Sequence, residues 1–517
     1  MSEPLILTFD LGTQSIRALL VNARGVILHK AQKVFDPPYY SKQPGWAEQK
    51  PEYYWDSLCE TSRELKEKAG SLWQDVIAVT SATIRDTCLC LDKDYNPLRD
   101  IILWLDDRKA ENLPPLPFPV RKILDSIGMG EGIALQRRIS HCNWIAVNEP
   151  EIWKKTDKFV FISTWLNYKF CGTLADSNAS VIGHIPFDYK SRTWAKADDF
   201  KRFFWEVEEG KSFDLVEPGT ALGSITAKTA EETGITEGLP YIVSGSDKGC
   251  ETLGLSCLSE DKAALSFGTT ATVQLSTQRY FEPIRFLPAY PAVIPGYYNP
   301  EVEIFRGYWL LSWFKKEFAA KEVEEAKIRG ISAEELLNER LRDIPPGCNG
   351  LVMQPYFTPG LDMPFAKGAI IGFSDVHTRI HIYRAIIEGI NFALMEGLRG
   401  MEKQGKLRVE KLFVAGGGSQ SAEICQITAS QFGLPVYRTQ THEVTAIGAA
   451  MSAFVSKGIF SSYNEGAGAM VQIKDEFLPD QEIHAVYEEI YSEVFEKIFD
   501  KLSPLYVKMG TSKKIKE

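Results

Sequence analysis

The sequence predicts an α/β protein built from two related domains. Three observations lead there. A chain of 517 residues is too long for one hydrophobic core, so two domains are the natural division. Helix-like and strand-like stretches alternate along it, as in α/β folds. The same local plan of strand, Gly-Thr turn and strand occurs near the start and again about half a chain later.

The first copy opens with an apolar strand over 5–10, the turn Leu11-Gly12-Thr13-Gln14-Ser15 and a second strand over 16–21. A turn at 22–25 and a third strand over 26–29 complete an antiparallel meander. The second copy runs through 263–267, Gly268-Thr269-Thr270 and 271–275. Between the copies, 51–68 reads as a helix and 76–80 as a buried strand. In the second half Ile380, Tyr383, Ile387, Ile390, Leu394 and Leu398 fall at helical spacing, a stripe best read as core. Residues 412–415 form a strand entering a glycine turn, with a helix over 421–432. The Lys-rich tail after Lys508 is expected to fray.

Composition removes several function classes. Apolar residues make up 44% and charged residues 24%, the balance of a soluble globular protein. The net charge of -10 comes without a basic stripe, which argues against a nucleic-acid partner. The amino terminus lacks the pattern of a secretory signal, and no run of eighteen apolar residues suggests a membrane span. Nine cysteines without a C-x-x-C pair, the nearest two being Cys88 and Cys90, suit a reducing cytoplasm. The seven histidines do not cluster in sequence as zinc ligands would.

Three segments carry chemistry. Asp10 ends a strand at a Gly-Thr hairpin whose backbone N–H groups can cradle an anion, with Thr13, Gln14 and Ser15 as further donors. A carboxylate beside phosphates commonly serves Mg²⁺; the plainer reading is an aspartate capping its turn. Gly416-Gly417-Gly418-Ser419-Gln420 lies between a strand and a helix, where a ligand can approach the backbone closely. Neither a P-loop nor a dinucleotide-binding glycine motif is present. Asp247 ends the stretch 241–247 near the chain's midpoint. It could take the proton of an attacking substrate hydroxyl, or simply cap the following helix.

Taken together these motifs resemble the FGGY carbohydrate kinases, over almost the whole chain to about residue 460. Asp10-Leu11-Gly12-Thr13-Gln14-Ser15 and Phe267-Gly268-Thr269-Thr270 look like the family's two phosphate motifs. Gly45-Trp46-Ala47-Glu48-Gln49 and Trp104-Leu105-Asp106-Asp107-Arg108 match early segments. Gly416 to Gln420, followed by Glu443-Val444-Thr445-Ala446-Ile447-Gly448-Ala449-Ala450, is similar to the adenosine-binding end. Gly368 to Phe373, His381-Ile382 and Ala385 to Glu388 nearly meet the longer signature.

The resemblance implies two actin-like (ribonuclease H-like) domains, 1–244 and 245–517, each with a mixed five-stranded sheet. It implies Mg²⁺ and ATP in a cleft that closes over the reaction. Asp247 becomes the catalytic base and Asp10 the Mg²⁺-linked aspartate. Thr13, Gln14, Ser15, Gly268, Thr269, Thr270, Gly417, Gly418 and Ser419 become nucleotide contacts. Arg85, Asp86, Trp104 and Lys248 become substrate contacts, Arg85-Asp86-Thr87 resembling the Arg-Glu-Thr of glycerol kinases, with a surface ion pair as the bland alternative. Two departures obscure the substrate. Thr272 replaces the aromatic that glycerol kinases set over their polyol, and Asn143 and Ala146 replace the Lys and Trp of the first signature. The expected activity is ATP-dependent phosphorylation of a hydroxyl of a small sugar, polyol or sugar acid. The alternative is a nucleotide-binding protein or ATPase of the same fold without sugar kinase activity. The expected partner is a small sugar, with no nucleic acid or membrane; a homodimer is a possible assembly.

Overall fold

The computed structural model describes residues 3–361 and 363–511; the end of the Lys-rich tail lies outside the described residues, and the helix Glu496–Thr511 precedes it. The backbone groups into two compact units, each discontinuous in sequence. The first comprises Met1–Leu258, Tyr290–Asn299 and Glu443–Gln472; the second comprises Ser259–Ala289, Pro300–His442 and Ile473–Glu517. A single cut at 244/245 does not reproduce them, because the helix Asp247–Gly254 stays with the first sheet and residues 443–472 return to it.

The first unit is built on strands β1 (Leu5–Leu11), β2 (Ser15–Asn22), β3 (Ile27–Val34), β4 (Val76–Thr83), β5 (Ala221–Ser224) and β6 (Pro240–Ser246), in the order β5-β6-β4-β1-β2-β3. The expected opening meander β1–β2–β3 is antiparallel, while β4 and β6 run parallel to β1. Every residue of β1 is buried, as a central strand covered on both faces requires.

The second unit contains β7 (Lys262–Phe267), β8 (Ala271–Leu275), β9 (Glu301–Ile304), β10 (Lys411–Ala415), β11 (Val436–Thr439) and β12 (Ile473–Phe477), in the order β9-β8-β7-β10-β11-β12. Read from β3 and from β9, both sheets show the same succession of pairings: two antiparallel, two parallel, one antiparallel. The duplicated hairpin thus belongs to a duplicated sheet. Each sheet has six strands, one more than the five implied by the resemblance. The additional strands, β5 and β12, are antiparallel edges that pair the otherwise open side of the last parallel strand. The helix Arg379–Gly405 carries the stripe from Ile380 to Leu398, all six positions buried in the second core.

Two glycines explain why residues 443–472 return to the first unit. A Cβ on Gly448 would lie 1.9 Å from the Cys250 carbonyl oxygen, and one on Gly254 would lie 1.9 Å from that of Val444. The helices Asp247–Gly254 and Val444–Ser456 therefore touch backbone to backbone. Gly448→Ala should force them apart and destabilise the protein by about 1–3 kcal/mol, the usual range for overpacking, read as a lower thermal midpoint.

Candidate active site

β6, β4 and β1 are adjacent and parallel, so their carboxyl ends open along one edge, where parallel sheets hold their ligands. Asp10 lies one residue from the end of β1, Arg85 and Asp86 just follow β4, and Asp247 follows β6. The topology brings together four residues that the sequence scatters over more than two hundred positions.

The turn after Asp10 is closed by the backbone, Gly12 N–H donating to Ser15 O at 3.0 Å, so Asp10 is not its cap. Its carboxylate instead accepts from Arg17 Nη1 at 3.0 Å. Burial pushes Asp10 up to about 6 against the pull of Arg17, and the charges of Asp247 and Glu443 raise it further. Glu443, which the sequence reading placed only in the segment similar to the adenosine-binding end, stands beside Asp10. It accepts from Lys30 Nζ at 2.8 Å and lies 3.6 Å from Arg17 Nη1, arriving just ahead of the helix Val444–Ser456. Around the same turn, Trp104 Nε1 donates to Thr13 Oγ1 at 2.9 Å and Gln32 Nε2 donates to Ser15 Oγ at 3.1 Å, while Gln14 is exposed. Trp104 thus braces the hairpin through its indole N–H.

Asp247 is not the helix cap either. Ser246 takes that position, its Oγ accepting from Gly249 N at 3.2 Å, which leaves Asp247 as the first helical residue. Burial raises the Asp247 carboxyl above its usual range, with Arg85 and Lys248 opposing. Lys248 Nζ lies 3.3 Å from Glu251 Oε1. The excursion Tyr290–Asn299 supplies a wall: Tyr290 stacks 5.4 Å from the Arg85 guanidinium, and Val293 packs on Gly245 and Gly249.

Asp86 is not half of a surface ion pair. It sits at φ 44°, and its Oδ2 lies 2.6 Å from Nδ1 of His184. His184 Nε2 is in turn 2.7 Å from Gln136 Oε1. Burial opposes ionisation of Asp86, but His184 outweighs it and holds the group at about 2. Gly183 is required here, since a Cβ would come within 2.5 Å of Asp86 Oδ1. Neither His184 nor Gln136 carries a motif; only the chain's return beside β4 finds them.

The early motifs prove to be a buried scaffold. Arg108 grips Asp106 with two bonds of 2.7 and 2.8 Å and lies 3.0 Å from Glu48. Its guanidinium is 3.9 Å from the Trp46 ring and 4.6 Å from that of Trp144. Glu48 also receives Arg99 at 2.6 Å and Lys42 at 2.9 Å. The network fixes the segment from which Trp104 reaches Thr13. Asn143 is fully engaged as well: it donates to Arg137 O and Phe204 O and accepts from Glu206 N.

In the second unit β7 and β10 are parallel neighbours, which sets the Phe267–Gly268 turn against the Gly416 loop. A Cβ on Gly416, at φ 82°, would lie 2.8 Å from the Phe267 carbonyl carbon, and one on Gly418 would lie 2.3 Å from the Tyr308 ring. Gly417 faces open space and is exposed, as is Thr269. Gly416 and Gly418 are thus demanded by packing, while Gly417 is open to a ligand. Thr270 Oγ1 donates to Phe305 O, Ser419 Oγ donates to Gly416 O at 2.7 Å, and Thr272 is buried in β8. All nine cysteines are free, and no helix among the described residues is long and apolar enough to cross a membrane.

Comparison with known proteins places this geometry. Residues 5–254 match the FGGY family of carbohydrate kinases, N-terminal domain, and residues 263–457 match its C-terminal domain. The chain is 27% identical to the xylulose kinase of Bacillus subtilis, over 92% of each chain. It is 28% identical to an autoinducer-2 kinase of Escherichia coli, covering 94% of this chain and 93% of that one. In fold it is similar to the gluconate kinase of Lactobacillus acidophilus, with a TM-score of 0.82 at 19% identity over 98% and 100% of the two chains. With two matched domains spanning the duplicated sheets, the chain belongs to the FGGY family of carbohydrate kinases, enzymes that phosphorylate sugars with ATP.

Proposed function

We propose that this kinase transfers the γ-phosphoryl group of ATP to a hydroxyl of a small sugar, polyol or sugar acid, with Asp247 as general base. The observation that carries the reading is the row of Asp247, Arg85–Asp86 and Asp10 at the ends of three adjacent parallel strands. Asp86 and Arg85 offer an acceptor and donors to neighbouring hydroxyls. Asp247 would take the proton as the hydroxyl oxygen attacks phosphorus. Lys248 would lie beside the same substrate. Thr13, Gln14, Ser15, Gly268, Thr269, Thr270, Gly417, Gly418 and Ser419 are the nucleotide contacts of this proposal.

The surroundings of Asp10 suit Mg²⁺. The carboxylate is buried and, although Arg17 bonds it, the charges of Asp247 and Glu443 also bear on it, so a hard cation with oxygen ligands would fit beside the three carboxylates. Bound there, the ion would offset charge on the phosphates. Asp10 would orient it, directly or through water.

An ADP-release assay with Mg²⁺-ATP across polyols, ketopentoses, ketohexoses and aldonic acids tests the proposal. Strong stimulation by one compound supports it; steady release independent of any sugar favours the ATPase reading.

In this scheme His184 is a positioning residue that holds Asp86 for the sugar. His184→Ala should raise the KM for the sugar by about 10–100-fold, the worth of one hydrogen bond to a charged group, with a smaller change in kcat. An effect confined to kcat would contradict that role.

A further inference from the structure

A second cluster shares Asp86 with the His184 pair. Asp86, Cys88 and His141 each offer a ligand atom, all within 4.8 Å of one another, and no other trio of His, Cys, Asp or Glu among the described residues is so placed. His141 is 3% exposed, and its Nδ1 is buried without a hydrogen-bond partner. A buried polar atom left in that state carries an unrecovered desolvation penalty, which a ligand bound to it would relieve. Cys88 is also buried, its Sγ 3.9 Å from Asp86 Oδ1, a long contact that a metal bridge would replace. His184 holds both oxygens, its Nδ1 2.6 Å from Oδ2 and its backbone N–H donating to Oδ1 at 3.4 Å, and so fixes the carboxylate as outer-shell partners fix metal ligands.

The donor set is one nitrogen, one sulfur and one carboxylate oxygen. Mg²⁺ prefers oxygen alone, whereas a borderline cation such as Zn²⁺ takes this mixture in tetrahedral geometry. Its bond lengths require the three atoms to close by about 1 Å. We propose that Asp86 Oδ1, Cys88 Sγ and a ring nitrogen of His141 form a site for a zinc-type cation, and that its occupancy withdraws Asp86 from the sugar. On binding, the Cys88 thiol releases its proton to solvent, His141 coordinates as the neutral imidazole, and water completes the shell. The regulatory half rests on the reading of Asp86 as a sugar ligand; the binding half does not.

The full-length protein, stripped with a chelator and dialysed, is titrated with Co²⁺ and then with Zn²⁺. One equivalent of Co²⁺ should produce a near-ultraviolet thiolate-to-cobalt absorption that Zn²⁺ abolishes. Cys88→Ser should eliminate the band, His141→Gln should weaken binding at least tenfold, and Cys90→Ser should leave the band intact. Thermal melting of each variant identifies any loss that reflects unfolding, and His141→Gln then decides if Cys88→Ser does not fold. Absence of the band in the native protein, or its persistence in Cys88→Ser, overturns the site. For regulation, Zn²⁺ should inhibit competitively with the sugar in the native enzyme and at least tenfold less in Cys88→Ser. A metal that binds without such inhibition overturns the regulatory half. Because the cobalt band needs no turnover, the site stands or falls even if no tested sugar is phosphorylated.

Discussion

Replacing Asp247 by Asn should lower kcat for sugar phosphorylation by about 10²–10⁴-fold, the span of general-base contributions, while ATP binding persists. Asn preserves shape and hydrogen bonding but cannot accept the proton, and Ser246 still caps the helix, so the fold should survive. Single-turnover kinetics beside equilibrium nucleotide binding separates the two effects. Near-full activity would exclude Asp247 as the base. The same residue sets a pH dependence. Burial raises its pKa, so the working carboxylate is lost on acidification at a higher pH than for an ordinary aspartate. The acid limb of kcat/KM should therefore lie above the usual value of about 3.9. Lys248→Met removes a cation that favours the ionised form and should move that limb further up.

Arg108→Met should destabilise the first unit by about 3–5 kcal/mol, the penalty for breaking a buried ion pair by removing one partner. The Arg108 and Asp106 side chains are 1% and 0% exposed, and Glu48 is 1% exposed. Methionine fills the space between the Trp46 and Trp144 rings but leaves the Asp106 carboxylate without its two-bonded partner. A lower urea midpoint measures the loss. Because this network anchors the segment from which Trp104 bonds Thr13, the surviving folded fraction should also show a higher KM for ATP. An unchanged midpoint would mean that water reaches the pair.

Much of the candidate site was legible locally. Asp10, the two Gly-Thr hairpins, Asp247 and the triple glycine each announce themselves within a few residues, because strand-to-turn junctions need particular residue types there. What the motifs do was less legible. Gly-Trp-Ala-Glu-Gln and Trp-Leu-Asp-Asp-Arg match early family segments, yet Glu48, Asp106 and Arg108 are spent in one buried network with Arg99 and Lys42. The three consecutive glycines look alike in sequence, but only Gly417 is open to a ligand.

By itself the sequence determined the alternation of strands and helices, the duplicated hairpin and the family motifs, since each depends on periodicity or turn chemistry over short spans. The tertiary structure alone decided which distant groups meet: Glu443 with Arg17 and Lys30, His184 with Asp86, His141 with Cys88, and the Gly448 helix with the Gly254 helix. Two of the seven histidines, His141 and His184, thus meet at one carboxylate. The physical reason is that parallel sheets join strands from remote segments. The neighbours of a carboxylate at a strand end are chosen by sheet order and close helix packing, which no local pattern encodes.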